Sequence, residues 1–109
     1  MQFEILTGDA GAGVLAAQDF VAAAICAGIK QDDVLDMVMI HSLRPAAAAA
    51  TITENVFRAA PTYVTEEAVA DGYARTIIVN SGNANCATGS QGLRDARRMG
   101  ELAAELTGV

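Results

Sequence analysis

The clearest element in the chain is "ARTIIV" (74–79), where an unbroken β-branched run predicts a buried strand. Downstream, Leu93, Ala96, Met99 or Gly100, Ala103 and Leu106 recur at helical spacing, predicting an amphipathic helix over about 91–106. Upstream, "DVLDMVMIHS" (33–42) is near-continuously apolar, the pattern of a strand covered on both faces. "QFEIL" (2–6) is a further candidate strand. "DFVAAAICAGIK" (19–30) fits helix or strand by periodicity, and its β-branched and aromatic residues with Gly28 favour strand. "AAAAATIT" (46–53) is left undecided, because alanine favours helix while Thr and Ile favour strand. Within "APTYVTEEAVADG" (60–72) a short helix is expected, with Thr65 as N-cap, Glu66 and Glu67 in its first turn and Gly72 as its stop.

Composition adds one qualification. The chain has 109 residues and is 52% hydrophobic, with three Phe, two Tyr and no Trp. That length suits one domain or part-domain over 1–109, with no repeat or linker. A core built largely of alanine buries less area per residue than one of Leu and Phe, so outside support is expected.

Seven basic against thirteen acidic residues give a net charge of -6. No Lys/Arg cluster faces phosphates, which argues against nucleic acid and anionic membranes as partners. Arg94, Arg97 and Arg98 read as a solvated helix face paired with nearby acids. "FVAAAICAGI" is too short to span a bilayer and no secretory signal precedes it, so the expected location is cytoplasmic, with Cys26 and Cys86 reduced. One His and two distant Cys lack metal-ligand spacing.

Two further patterns imitate functional sites without completing them. Gly11-x-Gly13-x-x-Ala16, with Asp32 and Asp33 about twenty residues on, imitates a dinucleotide fingerprint, but no clean helix follows it. Asp36, His41 and Ser42 hold the residue types of a hydrolase triad. Asp36 and His41 are an odd number of residues apart, so on one strand they point to opposite faces.

The loop "NSGNANCATGSQG" (80–92) differs in kind, being thirteen polar and small residues between the best strand and the best helix. It places Thr88, Gly89 and Ser90 at a helix N-terminus, where unpaired N–H groups gather partial positive charge. Such a terminus either is capped by Thr88 or Ser90, or offers donors to an oxyanion. Asn80, Asn83 and Asn85 are expected to pin the loop by bonding its backbone.

"VNSGNANCATGSQGLRDARRM" closely resembles the signature of the ornithine acetyltransferase (bifunctional glutamate N-acetyltransferase) family, V-N-S-G-N-A-N-A-C-T-G followed by G-x-x-D-A-x-x-M. "GVLAAQDFVAAAICAGIK" and "DMVMIHSLRPAAAAATITENVFRAAP" resemble the family's upstream segments, so the likeness spans about 13–106. Two departures stand out: Cys86-Ala87 replaces Ala-Cys, and Leu15 to Asp19 replaces a Pro- and Gly-bearing stretch.

The resemblance implies an α/β layered sandwich of αββα type, of which this chain is an N-terminal portion with several strands and two helices. It implies acetyl transfer from N-acetylornithine to glutamate through an acetyl-threonine intermediate, with no cofactor and with acetyl-CoA as a donor in some members. Thr88 (hydroxyl) and Gly89 (N–H) map onto the family's oxyanion hole. The nucleophilic threonine and self-cleavage site map beyond Val109, so the chain alone is expected to be inactive and to need the remaining C-terminal chain, in an oligomer. The alternative is a non-catalytic relative that binds a small acidic metabolite or a partner subunit.

Overall fold

The computed structural model describes residues 13–109. The candidate strand at 2–6 and Gly11 of the dinucleotide-like pattern lie outside them. The order of elements is a 3-10 turn Gly13–Ala16, β1 Phe20–Ile25, β2 Met37–Ala47, α1 Ala60–Ala68, β3 Tyr73–Asn80 and α2 Gly89–Thr107. The strands form one antiparallel sheet in the order β1-β2-β3. This is an α/β arrangement, and a sheet with a helix layer is what the resemblance implies. Among the described residues the sheet is an antiparallel meander with no parallel β-α-β unit, the frame that a dinucleotide fingerprint needs.

β2 is the central strand, with Val21 opposite His41 on one side and His41 opposite Thr76 on the other. Its apolar run reflects that position. Met37 to His41 are only half-buried, so the expectation of full cover on both faces does not hold for the described residues. The strand also begins at Met37 and not Asp33, because Asp36 is engaged in holding the preceding turn. The undecided stretch 46–53 contributes the last two residues of β2 and then runs without regular structure.

Between His41 and Ala46 the β2–β3 register shifts. Carbonyls freed at such a break need donors, and Arg75 supplies them: its Nε reaches the Ser42 carbonyl at 3.2 Å and its Nη2 the Leu43 carbonyl at 2.9 Å. Buried Ser42 donates its hydroxyl to the Arg44 carbonyl at 2.7 Å. His41 Nδ1 lies 2.8 Å from Thr76 Oγ1. Asp36, His41 and Ser42 thus have three separate structural partners and form no triad.

Helix α1 starts five residues before the expected N-cap. Ala59 is its extended N-cap and Pro61 lies in its first turn, where a missing N–H costs nothing and the ring's φ suits a helix. Thr65 is inside the helix, and its carbonyl accepts the Val69 N–H. Glu66 and Glu67 are therefore near the end, pairing with Arg58 at 2.6 Å and with Arg97 of α2 at 3.0 Å. Gly72, at φ 83°, closes the turn after the helix without being its cap.

Helix α2 packs on β3 and α1. Gly92 and Ala103 are buried, while Leu93, Ala96, Met99 and Gly100 are half-buried along the expected stripe. Leu106 is 78% exposed and leaves the stripe to Thr107, which lines a pocket with Val21, Met39, His41 and Leu43. On β3, Thr76, Ile78 and Asn80 are half-buried and Ile77 and Val79 exposed, which fixes the face that α2 covers. Ala60 and Ala103 are the only buried apolar residues among those described, and no large side chain is fully buried.

Candidate functional site

The loop joining β3 to α2 is held from both ends. At its start the Ser81 N–H donates to the Asp36 carbonyl at 2.8 Å, and Asn80 Nδ2 donates to the Asn83 carbonyl at 3.1 Å. Asn83 takes part through its main chain only. At the far end Asn85 is the centre. Its Nδ2 donates to the Gly92 carbonyl at 2.7 Å, its Oδ1 accepts the Thr88 hydroxyl, and its main-chain carbonyl accepts the Ala60 N–H at 3.2 Å. Loop, α2 and the start of α1 therefore meet at one residue, through its side-chain amide and its main-chain carbonyl.

Thr88 occupies the N-cap position of α2 but makes no side-chain cap bond. Ordinary capping by Thr88, the plainer of the two sequence readings, is not what its hydroxyl does. Ala87 and Gly89 both have left-handed backbones, φ 56° and 63°, which turn the chain sharply into the helix. A left-handed Ala costs about 1 kcal/mol, and glycine at 89 avoids a second such cost. The outcome is a solvent-facing helix N-terminus beside an exposed threonine hydroxyl, a donor array suited to an anionic oxygen.

Gly92 makes this geometry attainable. A Cβ there would overlap Thr88 Oγ1 and Asn85 Oδ1. Helical spacing alone gave no reason for a glycine one turn into α2. A glycine directly beneath a polar triplet was the only available signal.

Asp36 is the residue that sequence reasoning missed. It is 3% exposed, and its carboxylate accepts the N–H groups of Ala27 and Ile29 at 2.6 Å and of Lys30 at 2.9 Å. The backbone donors of Ala27 and Lys30, ahead of other influences, hold its carboxyl below the ordinary value. The turn so formed lays the Lys30 stem over Gly82, where a Cβ would come within 2.6 Å of Lys30 Cγ. An acid just before an apolar strand was the visible cue.

Arg97 reaches Glu67, Arg98 reaches Glu101 and Glu105, and Arg94 donates to Gln91, so the basic run is a paired helix face. Cys26 and Cys86 are free and exposed. Among the described residues no three His, Cys, Asp or Glu converge as metal ligands, and no helix is long and apolar enough to cross a membrane.

Comparison with known proteins gives the family of the chain. The ArgJ family model matches residues 21–109. The arginine biosynthesis bifunctional protein ArgJ of Symbiobacterium thermophilum is 43% identical over 99 residues, covering 89% of this chain and 25% of that protein. A glutamate N-acetyltransferase of Methanopyrus kandleri is 46% identical over 82 residues, covering 75% of this chain and 21% of its own length.

Among solved structures, Bacillus halodurans ArgJ superposes with TM-score 0.83 at 40% identity, over 88% of this chain and 50% of that one. The ornithine acetyltransferase of Mycobacterium tuberculosis, complexed with ornithine, gives 0.72 at 39% identity, over 79% and 45%. The chain thus spans about a quarter of the curated relatives it matches. With the family model matching residues 21–109 and the backbone superposing on a solved ArgJ at 40% identity, this chain belongs to the ArgJ family.

Proposed function

We propose that residues 80–92 form the oxyanion-stabilising loop of an acetyltransferase that moves an acetyl group from N-acetylornithine to glutamate in arginine biosynthesis. The observation that carries this reading is the exposed pairing of the Thr88 hydroxyl with the uncapped start of α2 at Gly89. In the proposed cycle a threonine from the part of the protein that this chain does not match attacks the acetyl carbonyl and forms an acetyl-threonine ester. Ornithine leaves, and glutamate then takes the acetyl group. Each half passes through a tetrahedral alkoxide, which the Gly89 N–H and Thr88 hydroxyl stabilise. Losing one such donor typically costs roughly 10²–10³ in rate.

The threonine, the substrate-recognition groups and the self-cleavage that frees the nucleophile's amine are assigned to the part of the protein that this chain does not match. That part is also the proposed partner of the exposed β3 face, in a soluble oligomeric enzyme of the cytoplasm. Acetyl-CoA is a further candidate donor. The test is to replace the matching segment of the Symbiobacterium thermophilum protein with this chain and to assay acetyl transfer. Turnover of N-acetylornithine and glutamate is expected. A folded hybrid without turnover contradicts the reading and favours a non-catalytic relative that binds a small acidic metabolite or a partner subunit.

A further inference from the structure

The orientation of the Asn85 amide follows from chemistry. The Gly92 carbonyl, 2.7 Å from Nδ2, can only accept, so that end of the amide is its NH2 group. The opposite end is a carbonyl oxygen that also can only accept, so Thr88 Oγ1 must be the donor. A hydroxyl has one proton. While that proton lies on Asn85, Thr88 has none to offer a ligand.

Asn85 is itself held by Gly92 and by the Ala60 N–H, whereas Thr88 is exposed and its hydroxyl proton can change acceptor by rotation about the Cβ–Oγ bond.

We propose that Asn85 is the positioning residue of the loop: it holds the Thr88 proton in the resting site and yields it to the substrate oxygen only as that oxygen becomes an anion. This rests on the acetyl-transfer reading above. No covalent bond forms or breaks in the switch. The proton stays on Thr88 Oγ1 and changes acceptor, from a neutral amide oxygen to an alkoxide.

A neutral substrate carbonyl gains nothing over Asn85 as an acceptor, whereas charge-assisted hydrogen bonds are roughly twice as strong as neutral ones. The interaction therefore favours the transition state over the bound substrate, which is the condition for raising kcat.

Asn85→Asp and Asn85→Ala separate this role from simple support of the loop. Alanine removes both side-chain bonds but leaves no competing acceptor. Aspartate loses the bond to the Gly92 carbonyl as alanine does, but keeps an acceptor beside Thr88, now charged, that competes with the alkoxide for the Thr88 proton. In the hybrid acetyltransferase, Asn85→Asp is expected to have kcat about tenfold below Asn85→Ala, with KM changed little. That difference should vanish when Thr88→Val is added.

A second arm uses the hybrid with ¹⁵N-labelled asparagine: Thr88→Val should shift the Asn85 side-chain amide signals in ¹⁵N–¹H NMR spectra. Unshifted signals overturn the proposal, as does Asn85→Asp being no worse than Asn85→Ala in a hybrid that turns over. A folded hybrid without turnover, with the NMR shift present, overturns the acetyl-transfer reading and the switch with it.

Discussion

The main-chain carbonyl of Asp36 accepts the N–H of Ser81 at 2.8 Å, so the residue that precedes the central strand also fixes the first residue of the candidate loop. Its carboxylate simultaneously gathers the N–H groups of Ala27, Ile29 and Lys30. One acid therefore links the β1–β2 turn to the place where Thr88 and Gly89 are presented.

Asp36→Asn removes the anion from this arrangement and is expected to lower stability at neutral pH. The native carboxyl releases its proton more readily than the unfolded one. Its stabilisation is thus complete above the ordinary carboxyl pKa and is lost as pH falls through the lower native value. Urea midpoints at neutral and acidic pH should differ less in the variant than in the parent chain. An unchanged difference would assign the acid sensitivity to other groups.

Gly92→Ala and Gly100→Ala lie on the same helix and should have opposite effects. At Gly92 the new Cβ overlaps Thr88 Oγ1 and Asn85 Oδ1, while at Gly100 it meets nothing within 4 Å. Equilibrium unfolding should show Gly92→Ala destabilised by about 1–3 kcal/mol. Gly100→Ala should be stabilised by up to about 1 kcal/mol through helix propensity.

Arg75→Met retains an apolar stem but abandons the Ser42 and Leu43 carbonyls at the register break. A loss of about 1–3 kcal/mol is expected in urea denaturation. Amide exchange should accelerate first around residues 42–46.

The sequence was most informative where pattern and local chemistry agree. The positions of β3 and α2 follow directly from "ARTIIV" and the stripe of Leu93, Ala96, Met99 and Ala103. Yet β3 is not the buried strand its branched run predicts, since Ile77 and Val79 are exposed on the face away from α2. β1 followed from branched residues despite its alanines. The start of α1 was misplaced because Thr65 and two glutamates imitate a helix start, and Pro61 outweighs them by presetting the first turn. Helical spacing alone points Leu106 inward, but it is exposed near the C-terminal end of α2 and Thr107 lines the pocket instead. Thr88, Gly89 and the three asparagines were legible as one loop. That Asn85 is its hub, and Asp36 its anchor, depends on contacts over 25 residues or more between Asn85 and Ala60 and between Asp36 and Ser81. No local pattern encodes these.

The exposed apolar face of β3 bears on the rest of the protein. Ile77 is 57% and Val79 48% exposed, on the face opposite to α2. Ile77→Lys with Val79→Lys should leave the unfolding midpoint of the chain nearly unchanged, since neither side chain is buried in it. Co-purification with the C-terminal part of the Symbiobacterium thermophilum protein should be lost. Retained co-purification would put the contact elsewhere.

The central claim is that Thr88 donates to a developing acyl oxyanion, and steady-state kinetics of Thr88→Val in the hybrid acetyltransferase test it most directly. The account predicts kcat lower by roughly 10² or more with KM for N-acetylornithine little changed. A variant that keeps its kcat, or that loses activity only through KM, would contradict it.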